Sequence, residues 1–196
     1  SGVKLLLAES EFRERFASTV ADLFEAPARL DVALESLLGE RLQALPAAGL
    51  DDVLTAVEFL RARDGRCCFV LPGFQPAAVA TPAGGVALSE LVQPRPDCEA
   101  LVAALLRDCF LVDTLDPYWR APLAAGVFLV TTEGDILTGR GEFTAGGRQS
   151  LGQGAIHKKR EMKELSQQVE ELLASVDSLE QRRLQLRSEQ QETEGR

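Results

Sequence analysis

From about Ala155 onward the apolar positions fall into a seven-residue repeat. Met162, Leu165, Val169, Leu172, Val176, Leu179 and Leu186 follow three- and four-residue steps, with Arg183 the one interruption. Such spacing keeps a narrow apolar seam along a helix and requires a second helix to cover it. Glu161, Lys163, Glu164, Glu170, Glu171, Glu180 and Arg182 fall between the seam positions and suit a solvated outer face. The pattern predicts a coiled-coil arm over residues 154–196, roughly 50 Å long over some 35 residues.

Before the arm the period changes repeatedly. Leu5–Phe16 reads as a short amphipathic opening, and Ser18–Glu25 as a strand ended by Pro27. Ala28–Leu38 has helical spacing (Leu30, Ala33, Leu34, Leu37, Leu38) and a stop at Gly39. Arg41–Pro46 is a second strand candidate. Asp51 caps a helix to about Arg63, with Val53, Leu54, Val57 and Leu60 on one face. Asp64-Gly65 then turns the chain into Cys67–Leu71, an apolar run typical of a strand covered on both faces.

Pro72–Gly85 holds three prolines and three glycines without periodicity and reads as a connection. Beyond it, Leu88–Gln93 predicts a strand, Asp97–Arg107 a helix and Cys109–Asp113 a buried strand. Pro117 opens a helical piece that Pro122 limits. Val127–Thr132 and Ile136–Ala145 flank Glu133-Gly134-Asp135, a hairpin turn. Strands alternating with helices in both halves indicate a mixed α/β body of two related lobes. The division reads as a lead-in segment 1–17, lobe one 18–72, a linker 73–85, lobe two 86–153, and the arm 154–196.

Composition fits that picture. Apolar residues make up 45% of the chain, and no run approaches the roughly 20 apolar residues of a membrane helix. Leu5–Ala8 is too short a run for a signal peptide, which predicts a cytoplasmic protein without membrane partners. Cys67, Cys68, Cys98 and Cys109 lack metal-type spacing and read as buried, reduced thiols. Net charge is −9, yet from Gly154 onward nine acids face eight bases, so the body carries most of the deficit. An acidic body argues against nucleic-acid binding by the whole surface.

Candidate chemistry is sparse. His157, the one histidine, sits beside two lysines without a nucleophile or an orienting partner nearby, which suits solvent or phosphate better than base catalysis. Asp113 and Asp116 read as a strand end and a helix cap before Pro117, rather than an acid/base pair. Neither a cofactor nor a metal site is indicated, and the segment does not read as an enzyme. Lys158, Lys159 and Arg160 form a basic run where body meets arm. It is either a charged first turn or a sequence-independent phosphate patch to which Arg140 and Arg148 add charge.

Gly139-Arg140-Gly141-Glu142-Phe143-Thr144-Ala145-Gly146-Gly147 is no Walker motif, since no Lys-Ser/Thr follows a final glycine. Glycines in a strand mark either an irregular end or a place where another backbone comes close.

In order along the chain, five pieces resemble the hinge domain of structural maintenance of chromosomes (SMC) proteins, especially prokaryotic ones. They are Thr19–Pro27, Ala33–Gln43, Ala56–Leu60 with Gly65–Pro72, Leu111–Asp116, and Val130–Asp135, followed by the coil. The resemblance implies a ring-like homodimer, the first lobe of one copy against the second lobe of the other. Gly139, Gly141, Phe143, Gly146 and Gly147 would lie at the contact. It further implies antiparallel arms leading to ATPase heads, a role in chromosome condensation and segregation at the nucleoid, and DNA contact at the neck. Accessory subunits are not specified. The family's motif usually runs Gly, two residues, Thr or Ser, Gly-Gly. Here Gly141–Gly147 carries one residue more, which leaves the register of the interface strand open. The alternative reading is an α/β ligand-binding or enzymatic domain dimerised by its coil alone.

Overall fold

The computed structural model describes residues 2–73, 79–145 and 154–194. The chain forms two units, Ser1–Ile156 and His157–Arg196. In the first, the N-terminal opening becomes two helices, α1 (Gly2–Ala8) and α2 (Ser10–Arg15). Leu6, Phe12 and Phe16 pack with Leu45, Ala56 and Leu60, and the Phe12 ring meets Phe59 edge-on at 4.9 Å. The lead-in segment is therefore part of the packed body.

The strand expected over Ser18–Glu25 shrinks to β1 (Phe24–Glu25). A local capping contact takes precedence: the Thr19 N–H and hydroxyl donate to Asp22 Oδ2 at 2.9 and 2.8 Å. This winds Val20–Asp22 into a 3-10 turn and buries Val20 and Ala21. A 3-10 turn at Ala28–Leu30 leads into α3 (Asp31–Leu38), as the spacing predicts. Gly39, at φ +49°, ends it. Arg41–Pro46 is mostly not a strand either. The Arg41 guanidinium donates to the Leu37 carbonyl at 2.9 Å, Gly39–Gln43 forms a 3-10 turn, and only β2 (Leu45–Pro46) is extended.

Helix α4 (Leu50–Arg61) forms as expected, but Gly49 occupies the N-cap. Asp51 and Asp52 sit in the first turn instead, where carboxylates complement the helix dipole. Next, β3 (Phe69–Val70) runs parallel to β2 in a two-stranded sheet, Leu45 opposite Phe69. So small a sheet cannot cover β3 on both faces. Cys68 is exposed and Cys67 half-buried, against the expectation of buried thiols.

After β4 (Val86–Ala87), the stretch expected as a strand is a single helical turn, α5 (Leu88–Leu91). Its buried positions, Leu88 and Val92, stand four apart, a helical rather than an alternating spacing. Only β5 (Gln93–Pro94) is extended, pairing antiparallel with β1. Helix α6 (Glu99–Leu106) follows, then β6 (Cys109–Leu111). The piece after Pro117 is a pair of turns rather than a helix, with the Tyr118 and Ala121 N–H groups donating to Leu115 and Tyr118 carbonyls at 3.0 Å.

The larger sheet is completed by β7 (Phe128–Val130), β8 (Ile136–Thr138) and β9 (Phe143–Thr144), in the order β4-β6-β7-β8-β9. Only β6 and β7 are parallel. The β7–β8 turn falls at Glu133-Gly134-Asp135 as predicted, with Gly134 at φ +90°.

One apolar cluster joins both halves of the body. It holds Val20, Leu30, Leu34 and Leu42 from the first half, Leu88, Leu106, Val130 and Ile136 from the second, and Ile156. The last helix, α7 (Ala155–Glu194), has 40 residues, roughly 60 Å at 1.5 Å each. Met162, Leu165, Val169, Leu172, Val176, Leu179 and Leu186 are all exposed along it.

Candidate assembly surface

Ile136–Ala145 folds back on itself instead of running as one strand. Strands β8 and β9 pair antiparallel, Leu137 opposite Phe143 and Ile136 opposite Thr144. A three-residue loop, Gly139-Arg140-Gly141, joins them, closed by Gly141 N–H to Thr138 O and Thr138 N–H to Glu142 O, both 2.9 Å. Gly141 sits at φ +84°, the left-handed position such hairpin loops reserve for glycine. A Cβ there would meet nothing within 4 Å.

Gly139 is constrained differently. A Cβ on it would stand 1.8 Å from the Ala124 carbonyl oxygen, so the second backbone that approaches this glycine belongs to the same chain. Gly139 N–H donates to the Val127 carbonyl at 2.9 Å, which holds the two segments together. Gly146, Gly147 and Arg148 lie outside the described residues.

Among the described residues β9 pairs only with β8 and is one of the two edge strands of the sheet, β4 being the other. Phe143 on it is 60% exposed. Beside it opens a cleft of about 850 Å³, lined in part by Asp113, Asp116, Glu133, Asp135, Trp119 and Phe143. Trp119 is 70% exposed. Among the described residues no Lys or Arg lines this cleft, which makes it anionic with aromatic walls.

The two aspartates singled out in the sequence thus share a wall with two acids from the β7–β8 turn. Asp116 caps no helix; its N–H faces Thr114 Oγ1 at 3.4 Å. Among the described residues, no three His, Cys, Asp or Glu converge to hold a metal ion. Arg140 is exposed at the tip of the β8–β9 loop. Lys158, Lys159 and Arg160 lie in the first part of α7, and His157 is exposed there.

The thiols are free, and only Cys109 is buried. Burial pushes Cys109 up to about 12, with Arg41 opposing and Asp108 adding to the rise. Partial burial, with the neighbouring Cys68, raises Cys67 to about 11. Neither is a thiolate nucleophile near neutral pH. The cleft itself escaped the sequence reading, because Trp119 had no periodic signal and its acids come from separate segments.

Residues 13–118 match the family model of the SMC proteins flexible hinge domain. The chain belongs to the SMC hinge family. This SMC hinge is 30% identical over 166 residues to the chromosome partition protein Smc of Myxococcus xanthus. That match covers 76% of the chain but 13% of the relative. The crystal structure of an asymmetric dimer of the Geobacillus stearothermophilus SMC hinge domain superposes with a TM-score of 0.69 at 24% identity. It covers 92% of this chain and 77% of that one. The Pyrococcus furiosus Smc hinge domain with an extended coiled coil gives a TM-score of 0.57 at 21% identity, over 94% of this chain and 75% of that one. At these identities the two structures establish the fold. No helix among the described residues is long and apolar enough to cross a membrane.

Proposed function

We propose that this SMC hinge is a homodimerisation joint, in which β9 of one copy and the first lobe of the other meet twice around a ring. The observation that carries the reading is the far edge of β9, unpaired among the described residues, with Phe143 60% exposed on the strand. An outer strand presents unpaired N–H and C=O groups, and an incoming strand satisfies them. A two-fold axis makes the contact reciprocal and closes the ring. Gly139, Gly141 and Phe143 fall in or next to that edge, and Gly146 and Gly147 would join the contact. Lobes 18–72 and 86–153, joined through 73–85, supply its two sides.

The exposed seam of α7 belongs to a coiled-coil arm covered by a second, antiparallel helix. The whole protein would carry ATPase heads and act in chromosome condensation and partition at the nucleoid; the Myxococcus relative is named a chromosome partition protein. Lys158, Lys159 and Arg160, with Arg140 and Arg148, would contact DNA phosphates without sequence preference. The acidic cleft repels DNA from its own face, which favours the arm root as the contact.

Truncation after His157, which keeps the buried Ile156, tests the joint by sedimentation. A dimer is expected. A monomer overturns the reading and returns the chain to an α/β ligand-binding domain dimerised by its coil.

A further inference from the structure

Helix α3 carries a glutamate where packing alone would select a leucine. Glu35 is 5% exposed, between Leu34 and Leu37 of the shared core. A carboxylate that deep is costly unless it is hydrogen-bonded. Its carboxyl carbon stands 1.8 Å, and its oxygens 1.8 and 2.0 Å, from where a Cβ on Gly154 would be. The carboxylate thus fills the side-chain position of the residue that immediately precedes α7. Two residues on, Ile156 is buried in the same cluster as Leu34 and Leu38.

The opening of a long helix presents N–H groups that have no intrahelical acceptor and carries the positive end of the dipole. A carboxylate lying against Gly154 has the charge and the acceptor oxygens that such an opening calls for. Helix α3 is itself gripped from the sheet side. A Cβ on Gly134, in the β7–β8 turn, would fall 2.5 Å from Ser36 Oγ and 2.9 Å from Val32 Cγ1.

We propose that Glu35 is a positioning residue that fastens the first turn of α7 to α3, and that position 154 is glycine because the carboxylate occupies the Cβ space. Its meaning as an arm anchor rests on the reading of α7 as the root of a coiled-coil arm. The contact itself does not depend on dimerisation.

Hydrogen–deuterium exchange on the intact chain tests this. Glu35→Ala should speed exchange of the amides of residues 155–158 about tenfold, the equivalent of about 1.4 kcal/mol. Protection in β7 and β8 should remain. Gly154→Ala drives a methyl into the carboxylate's place without altering α3 and should give the same local rise. Glu35→Gln keeps an acceptor and should recover part of the protection. Unchanged exchange at 155–158 in Gly154→Ala overturns the proposal, and that variant decides alone should Glu35→Ala fail to fold. An equal rise in β7 and β8 also overturns it, since Glu35 would then only fill the core. Sedimentation of the parent chain separates the two claims: a monomer sinks the dimer, while the exchange result stands or falls by itself.

Discussion

Replacing Gly139 by alanine should unfold the sheet edge at a cost set by one distance. The new Cβ would stand 1.8 Å from the Ala124 carbonyl oxygen and 2.6 Å from its carbonyl carbon. Carbon and carbonyl oxygen ordinarily meet no closer than about 3.3 Å, so one segment must retreat by roughly 1.5 Å. The obstacle is backbone, which cannot swing aside as a side chain does. Ala124 O also accepts the Val127 N–H at 2.9 Å, and Gly139 N–H donates to Val127 O at 2.9 Å. Retreat therefore breaks at least one of these bonds, worth about 0.5–1.5 kcal/mol, on top of about 1–3 kcal/mol for overpacking. The expected loss is about 2–4 kcal/mol, read as a lower urea midpoint at fixed protein concentration. Gly141→Ala is the control: its Cβ meets nothing within 4 Å, and the left-handed φ of +84° alone should cost about 1 kcal/mol. A Gly139→Ala chain within 0.5 kcal/mol of the parent would refute the close approach.

Phe143→Asp changes an exposed side chain, so far-UV circular dichroism should be unchanged while the dimer dissociation constant rises at least tenfold; an unaltered constant removes β9 from the contact. The Cys109 thiol, raised by burial from 9.0 to about 12, gives a signed pH effect. Below about pH 9 both states keep the proton; between about 9 and 12 the unfolded chain loses it first, so stability falls as pH rises. The stability advantage of the parent over Cys109→Ala should therefore narrow across that window, and a constant difference would contradict the burial argument. Changing Lys158, Lys159 and Arg160 to Glu should weaken DNA binding and lower the salt slope by about 2–3, at roughly 0.9 per phosphate contact. An unchanged slope in anisotropy titrations would exclude the arm root.

Helices were legible because their apolar residues repeat over several turns. The period in Leu30–Leu38 recurs in the folded α3 and the heptads recur in α7; in α4 the inward face is Val53, Ala56, Val57 and Leu60, while Leu54, expected on it, is 51% exposed. Strands are harder to read, because in this fold they span two or three residues, too short for alternation to register. Where a local contact competes, it wins: Thr19 with Asp22 bends one expected strand, and Arg41 on the end of α3 shortens another. Gly139 and Gly141 look alike in sequence yet answer different constraints, one steric and one conformational. Glu35 and Gly154 carried no signal at all, since their relation exists only once α3 lies against the start of α7.

The shared core bears on where a hinge of this kind can yield. Strands β1 and β5 pair across the two halves, and Val20, Leu34, Leu106 and Val130 lie in one cluster. Prising the halves apart would expose those four side chains at about 1.5–3 kcal/mol each. The sum is on the order of the whole stability of a typical domain, about 5–15 kcal/mol. Such a movement amounts to unfolding rather than bending. The β9 edge contributes no comparable barrier within a single copy, since its Phe143 is already largely in solvent. Opening of the proposed ring therefore belongs at the contact between copies, with each body moving as a unit.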